Sequence, residues 1–166
     1  MPYCQLYYHF VWATRHREPV LTPQHEAIVY DLMRSKAYGL GGTVYALNGT
    51  DDHVHLIASV PPRLAVAQFI GQVKGVSSAR FNKLSPSSAF YWQEAYGVFT
   101  FDRKRLDPLI RYVENQKVHH AEGSLIPALE RVDEPAEKGA GLRETAASYE
   151  TADSESTWWR EMIDMG

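Results

Sequence analysis

Asp52-His53-Val54-His55-Leu56-Ile57-Ala58-Ser59-Val60 is the stretch on which the fold turns. Side chains on an extended strand point alternately to its two faces. Val54, Leu56, Ala58 and Val60 therefore share one apolar face suited to packing under helices. His53 and His55 share the other, with Cα atoms roughly 7 Å apart. Two imidazoles at that separation can converge on one divalent cation. Two ligands are too few for a tight site, so a third must come from elsewhere in the chain.

Working outward, Asn48-Gly49 with Thr50-Asp51-Asp52 reads as the turn before this strand, and Pro61-Pro62 closes it. A strand over 43–47 precedes the turn. A helix begins at Pro23 behind a Thr22 cap, carries Ile28, Leu32 and Met33 at helical spacing, and ends near Gly39. Residues 6–13 form an aromatic strand, followed by a basic loop over 14–19. Downstream, Val66, Phe69, Ile70, Val73 and Val76 mark a second helix over 64–82. Residues 91–101 hold one or two strands, and 105–120 form a third helix. The order β-α-β-β-α-β plus a helix predicts an α+β, ferredoxin-like (RRM-like) antiparallel sheet. Two helices cover one face, and an additional C-terminal helix follows. The histidine face is expected to be uncovered.

The 166 residues are 45% apolar, enough for one core, and the single cysteine, Cys4, excludes an internal disulfide. No apolar run approaches the ~20 residues of a membrane span, and Met1-Pro2-Tyr3-Cys4-Gln5 lacks the features of a signal peptide. A cytoplasmic protein without membrane association is expected. The net charge of −3 conceals an asymmetry: 13 Lys+Arg against 9 Asp+Glu over residues 1–120, and 4 against 11 over 121–166. The first part can face a polyanion more easily than the second. Composition also changes after Gly123. The expected division is a domain over 1–123 and an acidic, flexible extension over 124–166, in which Trp158 and Trp159 stand out.

The last core helix carries the second constellation. Leu106, Leu109, Ile110 and Val113 form its apolar stripe, and Tyr112 and Gln116, four apart, are neighbours beside it. Gln116 offers a carbonyl oxygen suited to Mg²⁺ or Mn²⁺. Tyr112 offers a phenol, whose ordinary pKa of about 10 makes it a weak nucleophile unless a cation or base assists. His120 is a possible further ligand, His119 a polar helix end, and His9 a hydrogen-bonded sheet residue. Taken singly, each residue fits a surface or packing role as well as a chemical one.

Five stretches taken together are more specific. They are Tyr8-His9-Phe10-Val11-Trp12-Ala13-Thr14; Ala46 through Asn48-Gly49 to Asp52-His53-Val54-His55-Leu56; Lys74-Gly75-Val76-Ser77-Ser78; Tyr91-Trp92-Gln93-Glu94-Ala95-Tyr96-Gly97; and Tyr112 through Gln116 to His120. In this order, over about residues 5–120, the chain resembles the single-tyrosine HUH transposases of the IS-two-hundred type and the REP-associated tyrosine transposases. The resemblance implies that His53, His55 and Gln116 bind the catalytic Mg²⁺ or Mn²⁺. It implies that Tyr112 is catalytic, attacking a DNA phosphate to leave a 5′-phosphotyrosine link and a free 3′-hydroxyl. It implies a homodimer with active sites completed in trans, recognising hairpins of single-stranded DNA.

Arg15, Arg17, Lys74, Arg80, Lys83, Arg103, Lys104 and Arg105 are candidates to hold the DNA backbone, and Trp12, Tyr91 and Trp92 to stack on bases. The leading expectation is a metal-dependent single-strand endonuclease and strand transferase. The alternatives are a non-catalytic single-strand binding protein on the same sheet, or a domesticated relative acting on chromosomal palindromes. A metal-dependent phosphate-ester hydrolase ranks last. No carboxylates other than Asp51 and Asp52 are expected beside the histidines, and those two suit a turn.

Overall fold

The structure is a computed structural model and describes residues 3–132. Trp158, Trp159 and most of the acidic extension lie outside the described residues. Strands β1 (Tyr7–Ala13), β2 (Thr43–Gly49), β3 (His53–Ser59) and β4 (Gly97–Phe101) form one antiparallel sheet in the order β2-β3-β1-β4. Helices α1 (Pro23–Gly39) and α2 (Val66–Leu84) cover one face. This is the expected ferredoxin-like plan. Thr22 caps α1 as its sequence indicated, its hydroxyl accepting from the His25 N–H at 3.4 Å.

The two-residue period of the strands divides the sheet cleanly. Phe10 and Trp12 of β1 and Val54, Leu56 and Ala58 of β3 meet Val29, Met33 and Ala37 of α1 and Phe69, Ile70 and Val73 of α2. Fully burying one such large apolar side chain stabilises the fold by about 1.5–3 kcal/mol. Trp12 and Trp92 pack edge to face at 5.8 Å inside this core, so neither is available to stack on a base. Of the three aromatics expected to do so, only Tyr91 is exposed.

The opposite face, expected from the sequence to be open, is covered. Helix α3 (Leu106–Glu114) packs there through Leu106, Leu109 and Val113 against Tyr7, Ala46 and Ile57, and α4 (Gln116–Glu122) follows it with Gln116 buried. Residues 124–132, which composition placed in the extension, lie on the same face, with Ile126, Leu129 and Val132 buried. Their apolar side chains remove water from this face more cheaply than exposing the sheet would.

A bulge in β2 sets up this second layer. The pairing of Val44 with Ala58 is followed by that of Ala46 with Ile57, so Tyr45 is the extra residue. The shift directs Leu47 toward α1 and α2 and brings Asn48 beside His55. Asn48 then donates to the Glu114 carbonyl at 2.7 Å and accepts from Lys117 Nζ at 2.8 Å. The single helix expected over 105–120 is broken at that point. Asn115 leaves helical geometry at φ −96°, ψ 16°, its side chain donates to the Arg111 carbonyl at 2.9 Å, and the Val118 N–H turns to the Asn115 carbonyl.

Gly97 fixes how closely the 124–132 segment approaches the sheet. A Cβ there would lie 1.9 Å from the Arg131 carbonyl oxygen and 2.9 Å from Val11 Cγ1. Gly97→Ala should destabilise the protein by about 1–3 kcal/mol, as overpacking does. Faster amide hydrogen exchange should appear in 124–132 rather than in α1 or α2. Unchanged exchange in that segment would refute the contact.

Candidate metal centre and tyrosine site

The site begins with β3. His53 and His55, two apart, both face α3 and α4 and are 3% and 0% exposed. The Nδ1 atom of each ring is occupied from behind. His53 Nδ1 lies 2.5 Å from Asp52 Oδ1 and 2.8 Å from Thr50 Oγ1. His55 Nδ1 shares a 2.9 Å hydrogen bond with His9 Nε2 across the β1–β3 pairing. An imidazole tied down at Nδ1 presents Nε2 in a fixed direction, as metal-ligating histidines do.

Both Nε2 atoms point to one place. Glu130 Oε2 lies 3.4 Å from His53 Nε2, 3.2 Å from His55 Nε2 and 3.6 Å from His120 Nε2. One ligand atom from each of His53, His55, His120 and Glu130 falls within 4.8 Å of the others. His53 Nε2 and His120 Nε2 are buried without a hydrogen-bond partner. Buried polar atoms are rarely left unpaired, and three imidazoles with one carboxylate form a donor set suited to a divalent cation. The residues present therefore fit a metal ion.

Tyr112 of α3 adjoins this cluster within the same chain. Its hydroxyl donates to Glu130 Oε1 at 2.6 Å and accepts from the Ile126 N–H at 3.1 Å. Its ring stacks on His119 at 4.8 Å and meets His55 edge-on at 6.3 Å. Gln116, the first residue of α4, is fully buried beside that hydroxyl, and its amide meets no other polar partner.

The electrostatics follow from burial and from Glu130. Burial alone would raise the Glu130 pKa, but its contacts with His53, His55 and Tyr112 outweigh this and hold it far below the usual carboxylate range. Burial, then the Glu130 charge, push the Tyr112 phenol above its ordinary value. Burial lowers His55 and His120. For His53 burial also lowers, but contacts with Glu130 and Asp52 reverse the direction to a net rise.

Glu130 is the residue that sequence reasoning missed, and it corrects the expectation that only Asp51 and Asp52 bring carboxylates near the histidines. The available signal was the apolar series Ile126, Leu129, Val132 ahead of the acidic stretch. The turn expected at Thr50 and Asp52 is present, and both residues also support His53. His9 holds the hydrogen-bonded sheet role expected of it. His120, left open by the sequence, joins the cluster.

The basic candidates divide. Arg15, Arg17, Arg80, Lys83, Arg103 and Lys104 are exposed, and half-exposed Arg105 pairs with Asp102 at 3.2 Å. Lys74 is only 8% exposed, and its ammonium donates to the Glu94 and Ala95 carbonyls at 2.9 and 3.2 Å. Burial, partly offset by Glu94, brings its pKa down to about 8. Its charge is engaged in holding the 94–96 segment.

This arrangement predicts that Mn²⁺ raises the melting temperature of the wild-type chain and that His55→Ala abolishes the rise. Asp52→Ala, which removes the carboxylate behind His53, should weaken metal affinity about 10- to 100-fold in a calorimetric titration. Wild-type affinity in Asp52→Ala would show that the Asp52–His53 contact does not shape the site.

Comparison with known proteins places this geometry in a family. The family model described as "Transposase IS200 like" matches residues 2–116. The ISDra2 transposase TnpA of Deinococcus radiodurans is 28% identical over 118 residues, covering 68% of this chain and 84% of its own length. The transposase for insertion sequence element IS200 of Salmonella typhimurium is 27% identical over 71 residues, 43% of this chain and 47% of its own. Among solved structures, a Deinococcus radiodurans transposase superposes with a TM-score of 0.57 at 28% identity, covering 70% of this chain and 95% of that one. The REP-associated tyrosine transposase bound to a REP hairpin shares the fold, with a TM-score of 0.54 at 15% identity over 86% of this chain and 98% of that one. With its histidine pair and tyrosine helix gathered at one centre and the family model spanning most of its length, the chain belongs to the IS200-like transposases, the single-tyrosine HUH enzymes.

Proposed function

We propose that Tyr112 is the nucleophile with which this transposase cuts and rejoins single-stranded DNA, and that His53 and His55 hold the metal ion that assists it. One observation carries the assignment: a single carboxylate bridges the two. Glu130 meets the phenol through Oε1 and the imidazoles through Oε2. A phosphate has the same anionic, multi-oxygen character and a similar reach. The phenol oxygen therefore lies one oxyanion's span from the cation site.

In the cleavage step the Tyr112 phenol gives up its proton to solvent as its oxygen bonds to phosphorus, and the bond from phosphorus to the 3′ oxygen breaks. That oxygen takes up a proton as a 3′-hydroxyl, leaving a 5′-phosphotyrosine. Rejoining is the same exchange in reverse, so no nucleotide hydrolysis is needed. The bound cation supplies charge stabilisation at the phosphate.

The protein's own part is positioning and release. Tyr112 is 2% exposed, and its hydroxyl is committed to Glu130 and the Ile126 N–H. A phosphate reaches it only when Glu130 withdraws, so the 124–132 segment shifts as DNA enters. Gln116, buried beside the Tyr112 hydroxyl, is the third ligand once Glu130 leaves. Of Mg²⁺ and Mn²⁺, the imidazole-rich donor set favours Mn²⁺. The enzyme domain then includes the 124–132 segment, with the acidic extension beyond it.

A hairpin of single-stranded DNA is the substrate we favour, supported by the hairpin-bound structure that shares the fold. Exposed Arg80, Lys83, Arg103 and Lys104 are assigned to its backbone. Because phenol and imidazoles meet within one chain, cleavage is assigned to a single protomer of a homodimer.

With Mn²⁺ and a labelled hairpin oligonucleotide, the wild type should form a covalent adduct resistant to denaturing electrophoresis. Tyr112→Phe and His55→Ala should each reduce it at least a hundredfold. An adduct surviving in Tyr112→Phe would exclude the nucleophile. Mixing the two variants distinguishes the arrangements: no recovery of the adduct fits a site within one chain, and recovery means completion in trans.

A further inference from the structure

The loop after β1 has a conformation its sequence does not favour. His16 and Arg17 are consecutive non-glycine residues in the left-handed region, at φ 57° and 53°. Each costs of order 1–2 kcal/mol relative to ordinary backbone. The surrounding bonds hold them there. Thr14 Oγ1 donates to the Glu18 and Asp52 carbonyls, the Arg15 N–H donates to the Tyr91 carbonyl at 2.7 Å, and the Arg17 N–H returns to the Thr14 carbonyl.

The conformation gathers three side chains at the surface. The Arg15 guanidinium lies 5.1 Å from the centroid of the Tyr91 ring, a cation–π contact. Tyr91 is 57% exposed, because its neighbour Trp92 takes the inward position and anchors the segment through the bridge to Thr14. Arg17 reaches Asp52 at 3.3 Å, and the other oxygen of that carboxylate holds His53. An exposed aromatic ring with a guanidinium against it thus shares this loop with a second arginine that stands one carboxylate away from His53.

We infer that Tyr91 and Arg15 form a stacking platform for one unpaired nucleobase of the strand being cut, with Arg17 taking an adjoining phosphate. The inference rests on the single-strand reading above and gives that reading a base contact. A nucleobase fits better than a peptide side chain: a flat ring gains from both the phenol face and the guanidinium plane, and a phosphate belongs to the same ligand. Stacking is tolerant of sequence, so the platform holds the strand in place while leaving base identity to other contacts. Asp52 joins Arg17 to His53 Nδ1, so a phosphate on Arg17 would lie behind the imidazole whose Nε2 faces Glu130.

The probes are a twenty-nucleotide oligothymidylate and an abasic strand of equal length and charge, with binding followed by fluorescence anisotropy in EDTA so that no cleavage occurs. The wild type should prefer the thymidylate by about tenfold, a gain typical of one base on an aromatic ring. Tyr91→Ala should bind both strands alike, Tyr91→Phe should keep the preference, and Arg17→Ala should weaken both equally while reducing the salt dependence by about one phosphate contact. A preference undiminished in Tyr91→Ala, or no binding of either strand, overturns the platform. Loss of the preference in Tyr91→Ala supports it whatever the adduct assay shows, so the two readings fail separately.

Discussion

Alternation of side chains along β3 is the constraint on which the rest of this molecule depends. Successive residues of an extended strand cannot face the same way. Val54, Leu56 and Ala58 are thereby committed to the core under α1 and α2, and His53 and His55 to the opposite layer. A slip of one residue would bury imidazoles among phenylalanines and expose the aliphatic side chains. Packing of the core therefore fixes the direction of the imidazoles, and the chemistry inherits its precision from the hydrophobic layer on the other side of the sheet.

The second layer is assembled from weaker, more specific contacts. The bulge at Tyr45 brings Asn48 to the site face, where it takes the Glu114 carbonyl at the break between α3 and α4. Lys117 ties that break to Asn48, to the Gly49 carbonyl at 3.1 Å and to Glu26 of α1 at 2.9 Å. One lysine thus joins both layers through the end of the sheet. The break separates Tyr112 and Gln116 into two short helices whose positions are set by these bonds rather than by one continuous ladder.

Polar burial is concentrated where chemistry is expected. Among the described residues the buried polar side chains are His9, Thr14, His53, His55, Lys74, Ser77 and Gln116, and four of them lie in or against the metal cluster. Ser77 is satisfied, its hydroxyl donating to the Lys74 carbonyl and accepting from the Trp92 indole at 3.1 Å. The unsatisfied atoms at His53 and His120 belong to the site. An unpaired buried polar group costs about 1–3 kcal/mol. Those at His53 and His120 are ring nitrogens of the cluster, where a bound cation would satisfy them.

The order of the strands, helices α1 and α2 and the histidine pair are legible in the chain without its fold. Each of these is written in a local period: two for β3, 3.6 for α1 and α2, with Thr22 and Pro23 marking a helix start. The resemblance among ordered motifs added the family and named Tyr112. That Glu130 joins the histidines and tyrosine, that His9 and Asp52 stand behind the imidazoles, and that Lys74, Trp12 and Trp92 are engaged inside the fold comes from long-range packing. Contacts such as Glu130 with His55, 75 positions apart, follow from how layers close on one another. A local pattern records which face a side chain takes, but not which distant residue arrives opposite it, because that partner is chosen by the packing of the whole.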